Sequence, residues 1–152
     1  MEDVIIKKEG TPVKQFSVLL QNRVGSLASI IRLVRGCGEE VIGVSMQDSK
    51  DATIVRILVT DPEVVGQIFL EKGIPHTTCN MVVVALREAC TEMEKCLDTL
   101  KAGETNVDFV YSLITHPEER SLVAFHLDDH EFGASHLLCA GFKVMYQEDL
   151  SR

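Results

Sequence analysis

The chain repeats itself at an offset of about 66 to 68 positions, and a chain with that property folds as two copies of one unit. Leu27 and Met93, Ile31 and Leu97, and Val34 and Leu100 are each about 66 apart. Asp61 and Asp129, and Gly73 and Gly141, are about 68 apart, and a slightly longer loop in the second half accounts for the change. The 152 residues suffice for two small domains of about 75 residues each. Domains of that size bury only about 60% of the surface their unfolded chain exposes, so two copies gain by packing together.

Each copy has the same order of elements. Val13 to Leu20 carries Phe16, Val18 and Leu20 at period two, which predicts a half-buried strand. After the turn Gln21 to Ser26, the apolar residues Leu27, Ile30, Ile31 and Val34 form one helical stripe ending near Gly36 or Gly38. Val41 to Met46 and Thr53 to Val59 are β-branched runs around the polar Asp48-Ser49-Lys50-Asp51, a hairpin. Asp61 then caps a helix with Pro62 at its first position, which stops at Gly73 and leads into a strand from Ile74 to Cys79. The second copy reads as strand Met81 to Leu86, a helix over Met93, Cys96, Leu97 and Leu100, and a hairpin of Val107 to Ile114 with Leu122 to Leu127. A last helix opens at Asp129-His130-Glu131 and stops at Gly141, before a final strand Phe142 to Tyr146.

Two βαββαβ units predict an α+β fold: tandem ferredoxin-like modules, each an antiparallel sheet with both helices on one face, joined side by side so that strand edges are covered. The expected division is an N-terminal arm over 1–12, a first module over 13–79 and a second over 80–152; Val4-Ile5-Ile6 gives the arm the makings of a short strand.

The formal charge is −8, from 23 acidic and 15 basic residues, which disfavours phosphate backbones and anionic headgroups. No apolar run reaches the roughly 18 residues of a membrane span, and Met1-Glu2-Asp3 lacks a basic signal region. The expectation is a cytoplasmic protein that binds neither nucleic acid nor membrane. The five cysteines, Cys37, Cys79, Cys90, Cys96 and Cys139, form no C-x-x-C pair and read as ordinary thiols.

The stretch Phe16-Ser17-Val18-Leu19-Leu20-Gln21-Asn22-Arg23-Val24-Gly25-Ser26-Leu27 resembles the strand-loop-helix signature of the ACT domain family, whose pattern is Asp or Asn, any residue, often Pro, then Gly, any residue and Leu. Asn22, Gly25 and Leu27 match, and Val24 stands where the family often has Pro. From Val13 to Leu150 the chain is similar to stand-alone proteins of two tandem ACT domains. The resemblance implies a regulatory module that binds an amino acid or similar small molecule where domains pair. It also implies a homodimer and, as a further partner, a metabolic enzyme. With Asn in place of Asp, the loop resembles those of branched-chain amino-acid biosynthetic regulators, which points to an aliphatic amino acid.

The residues support a site there independently. A helix start presents unpaired N–H groups and positive dipole, so the amides of Gly25, Ser26 and Leu27 suit a carboxylate. Asn22 offers donors and an acceptor to an α-amino group, and Ser26 adds a hydroxyl. Arg23 and Val24 complete the loop, while Met46, Gln47 and Asp48 end the strand expected beside the partner module. The bland alternative makes Asn22 and Ser26 simple caps, Gly25 a turn residue and Met46 to Asp48 a strand end.

His126, His130 and His136 lie among Asp128, Asp129 and Glu131, but 130 and 136 face different ways on a helix, unlike a zinc-gripping i, i+4 pair. No metal site is expected. G-x-S-x-G, H-E-x-x-H, Walker-A and G-x-G-x-x-G runs are absent, so the chain reads as non-catalytic and without a cofactor. The rival to a ligand sensor is a ligand-free interaction or oligomerisation module acting on a metabolic enzyme.

Overall fold

A computed structural model describes residues 10–21, 23–49 and 52–151. Residues 1–9, most of the expected arm, and Asn22 lie outside the described residues. The first copy comprises β1 (Val13–Leu20), α1 (Ser26–Gly36), β2 (Val41–Asp48), β3 (Thr53–Val59), α2 (Pro62–Glu71) and β4 (His76–Leu86). The second adds α3 (Ala89–Ala102), β5 (Val107–Ser112), β6 (Ser121–Leu127), α4 (His130–Cys139), β7 (Lys143–Met145) and a closing helix, α5 (Gln147–Leu150).

The repeat is visible as shared local chemistry. Asp61 accepts from the amides of Glu63 and Val64, and its counterpart Asp129 accepts from Phe132, so the same residue starts the second helix of each copy. Ile30 and Cys96, Val34 and Leu100, and Phe69 and Leu137 are buried pairwise at the repeat offset. Each helix pair packs on one sheet face, giving two cores: Phe16, Val55, Ile57 and Phe69 in the first copy, and Val84, Leu100, Phe125 and Leu137 in the second.

The expected strands Ile74 to Cys79 and Met81 to Leu86 are one uninterrupted strand, β4. Thr77-Thr78-Cys79-Asn80 contains no Gly or Pro to turn the chain, and three of those four residues suit extended backbone. His76 to Met81 pair antiparallel with β1, while Val82 to Leu86 pair with β6 and Ala85 to Val83 with β7. The boundary expected at 79/80 thus falls inside a strand both copies share. One seven-stranded sheet results, ordered β2-β3-β1-β4-β6-β5 with β7 also on β4.

The sheet folds over on itself. Its outer strands meet where Gly43 bridges Leu113 and the amide of Ile114 donates to the carbonyl of Ile42 at 2.8 Å. A Cβ on Gly43 would lie 3.3 Å from both Leu113 Cγ and Leu58 Cδ1, so glycine permits this approach. A third core fills the space between the sheet faces turned away from α1 to α4, with Val13, Leu58 and Met81 against Val83, Leu122 and Ala124. A strand passing between packed sheets is one way to make such a corner. The short helix α5, unanticipated in the sequence, fastens the copies together: Gln147 donates from Nε2 to Val59 O at 3.0 Å and from its amide to Thr11 O at 2.9 Å.

Among the described residues the inter-sheet core contains one wholly buried polar side chain, Gln15. Tyr111 of β5 donates its hydroxyl to Gln15 Oε1 at 2.6 Å, tying the second copy to the first. Burial pushes the Tyr111 hydroxyl far above its usual pKa, which keeps it a donor. Tyr111→Phe strands a buried acceptor and should lower stability by about 1–3 kcal/mol in urea denaturation. Double replacement with Gln15→Leu should recover part of that loss; strict additivity would mean the bond does not couple the copies.

Candidate functional site

The β1–α1 loop opens at one end of the sheet. Leu20 of β1 pairs with Thr53, and Thr53 with Asp48, so the loop and the end of β2 lie at that same end on either side of β3. Directly paired residues share a face. Met46, opposite the core residue Val55, is therefore on the helix face together with the start of α1, whereas Gln47 is on the other face.

Within the loop, the Arg23 amide donates to Gln21 O at 2.8 Å and Arg23 O accepts from the Ser26 amide at 3.2 Å, forming a tight turn. Gly25 closes that turn at φ +87°, a left-handed conformation that glycine adopts without strain, and its missing Cβ faces open space. Arg23, Val24 and Gly25 are exposed, Ser26 is half-buried, and Leu27 packs against the first core. Among the described residues helix α1 has no side-chain cap, and its first turn has no acidic residue. Among the described residues none accepts from the amides of Leu27 or Ala28. What the loop offers chemically is a partly uncapped, unopposed helix start with room around its glycine, a setting that favours a small carboxylate.

The strand end is more occupied. Asp48 Oδ1 accepts from Thr53 Oγ1 at 2.8 Å, and Gln47 Oε1 accepts from Arg56 Nη1 at 3.2 Å. Arg56 also lies 4.1 Å over the Phe109 ring of β5, which stacks on His126, itself paired with Asp108 at 2.9 Å. The far side of the first sheet is thereby connected to the second copy through cation–π contact and stacking. Arg56 was not singled out in the sequence; the signal was there in Thr-Ile-Val-Arg-Ile-Leu-Val, the one charge in a mostly apolar strand.

The corresponding loop of the second copy differs. Glu88 stands at the N-cap of α3 without a side-chain cap bond, and Glu92 turns back so that its Oε2 accepts from the amides of Arg87 and Glu88, the latter at 2.9 Å. The chain's own carboxylate occupies that loop.

The remaining polar groups are engaged in other ways. His130 lies 3.4 Å from Asn80 and His136 stacks on Phe132, and among the described residues no group of His, Cys, Asp and Glu is placed to hold a metal. Burial pushes the Cys96 thiol up to about 11 and raises that of Cys79, where Arg56 and Gln15 partly oppose it. Both shifts run away from a reactive thiolate. No described helix is long and apolar enough to cross a membrane.

Two helix-backed βαββαβ units sharing a strand, with a glycine turn at the head of the first helix, define a tandem ferredoxin-like pair. The chain belongs to the ACT domain pair family, whose model matches residues 11–152. Among solved structures, protein BT0572 from Bacteroides thetaiotaomicron is similar at 17% identity, with a TM-score of 0.84 over 94% of this chain and 98% of that one. The aspartokinase alpha and beta subunits match at 16% identity and TM-score 0.58, covering 87% of this chain and 98% of that one. The ligand-free regulatory subunit of aspartate kinase from Thermus thermophilus matches at 12% identity and TM-score 0.57, covering 88% and 95%. These likenesses establish the fold alone. A search of the curated proteins finds no match.

Proposed function

We propose that this protein is a non-catalytic sensor that binds an amino acid at the β1–α1 loop of its first copy and works as a homodimer on a metabolic enzyme. The contrast between the two loops carries the reading. In the first, Gly25 is open, the Leu27 and Ala28 amides have no acceptor among the described residues and the first turn of α1 holds no acid; in the second, the first turn of α3 holds Glu92, whose carboxylate folds back onto the Arg87 and Glu88 amides just before the helix. In this reading Arg23 and Ser26 border the ligand's polar end and Met46 and Asp48 its side chain, and the Asn22 carboxamide has the chemistry to accept from an α-amino group. Membership of the ACT domain pair family supports the regulatory reading, as does the fold shared with a regulatory subunit of aspartate kinase.

A thermal-shift screen of the twenty common amino acids tests this, since a ligand that binds only the folded state raises apparent stability. Aliphatic amino acids are expected to give the shift. Calorimetric titration with the responder should then find one site per chain, and light scattering a dimer carrying two. Two sites per chain would mean the second loop is not blocked by Glu92. No shift with any amino acid would favour the ligand-free oligomerisation module instead.

A further inference from the structure

The second copy gathers a different set of groups beside its occupied loop. A cavity of about 360 Å³ is lined by four cationic side chains from four separate segments. Arg87 follows β4, Lys95 lies in α3, Arg120 precedes β6, and Lys143 opens β7. In a chain with 23 acidic against 15 basic residues, a cavity lined by four cations and one carboxylate inverts the overall balance.

That carboxylate is Glu92, whose Oε2 is held by the amides of Arg87 and Glu88. Among the described residues no acid lies within ion-pair distance of Arg87, Lys95, Arg120 or Lys143. A neighbouring cavity shares Arg120 and Lys143 and adds Glu118 and Asp149; Asp149 accepts from the Tyr146 amide at 2.8 Å. These acids partly offset the cations from the far side and leave the first cavity's own lining predominantly basic.

Four cations lining one cavity against a single carboxylate repel one another, and an anion seated among them relieves that repulsion. Two guanidinium forks and two ammonium groups suit the tetrahedral oxygens of a phosphate, which takes several donors from different directions. Ala85, Ala140 and Phe142 supply an apolar part of the lining against which the rest of a small molecule can rest. We propose that this cavity binds a phosphate-bearing small molecule, at a site separate from the amino-acid loop and built from side-chain cations rather than helix amides. The chain would then read two signals, one in each copy.

Isothermal titration of the full-length protein with inorganic pyrophosphate tests this, with citrate as a non-phosphate polyanion. Pyrophosphate should saturate one site per chain and bind more weakly as salt rises toward about 0.3 M. Arg120→Ala with Lys143→Ala should weaken it about tenfold, and the exposed single change Lys95→Glu should do at least as much should the double variant fold poorly. Glu92→Gln, which removes the one opposing charge in the lining, should tighten it. Lys14→Ala with Lys72→Ala takes the same charge from elsewhere and should leave affinity unchanged. No saturation by about 10 mM pyrophosphate, citrate binding as tightly as pyrophosphate, or equal weakening by the two double variants would overturn the proposal.

Discussion

Gly25→Asp is expected to abolish binding of the amino acid identified by thermal shift while leaving the fold in place. The new carboxylate would stand beside the Leu27 and Ala28 amides, where the ligand's own carboxylate is proposed to sit. The expected loss is total because the site is then filled and repulsive together. The structural cost is small: a Cβ at this position meets nothing within 4 Å, so the only strain is the left-handed backbone at φ +87°. That costs about 1–2 kcal/mol for ordinary residues and less for Asp or Asn, which visit this region readily. Gly25→Asn separates charge from shape. It should keep measurable affinity, and if both variants lose binding equally, the proposed carboxylate position is wrong. If Gly25→Asp binds normally, the loop is only a turn.

The comparison has a built-in counterpart in the second copy. Thr91 occupies the position corresponding to Gly25 at an offset of about 66, and Glu92 follows it inside α3. In the first copy the corresponding first turn has no acidic residue. Gly25→Asp therefore moves the first loop toward the condition the second already displays, a carboxylate of the chain itself beside the head of the helix.

The repeat made most of this architecture legible in advance. Leu27, Ile30 and Val34 mark α1, and Asp61 with Pro62 marks the start of α2, because caps and stripes are local signals that tertiary structure only reinforces. The joining of the copies was less legible. One strand and two are alike in composition at Thr77 to Asn80, and a continuous β4 is favoured by ladder pairing on both its halves, which is a long-range property. The meeting of Gly43 with Leu113 and the α5 clasp through Gln147 likewise depend on residues far apart in sequence. For the site, the Gly25 turn was readable because positive φ calls for glycine. The engagement of Gln47 by Arg56, and the closure of the second loop by Glu92, are side-chain geometries that spacing does not specify.

Phe16→Ala is expected to cost the fold about 3–5 kcal/mol, a large share of the roughly 5–15 kcal/mol that holds a domain folded. Phe16 is almost wholly buried in β1, with its ring centroid 5.4 Å from Phe69 and 5.6 Å from His76, both edge-on. Its ring carbons also lie 3.7 Å from where a Cβ on Gly66 would stand, so the ring fills the space under α2. Removing it leaves a cavity walled by β1, α2 and the start of β4 that side-chain motion alone cannot close. The counterpart at the repeat offset, Val82, is also buried but smaller, and Val82→Ala should cost only about 2 kcal/mol. Urea denaturation of both variants checks the pair, with midpoints falling at unchanged slope if only stability has altered. Since β1 leads straight into the Gly25 turn, the ligand supplies a second readout. At about one hundred times its dissociation constant it should restore about 2.7 kcal/mol to Phe16→Ala, as it does to the unmutated protein, provided the loop survives the loss beneath it. A Phe16→Ala cost below about 1 kcal/mol would show that the first core repacks around the vacancy. Full destabilisation without ligand rescue would show instead that the shape of the loop depends on this ring.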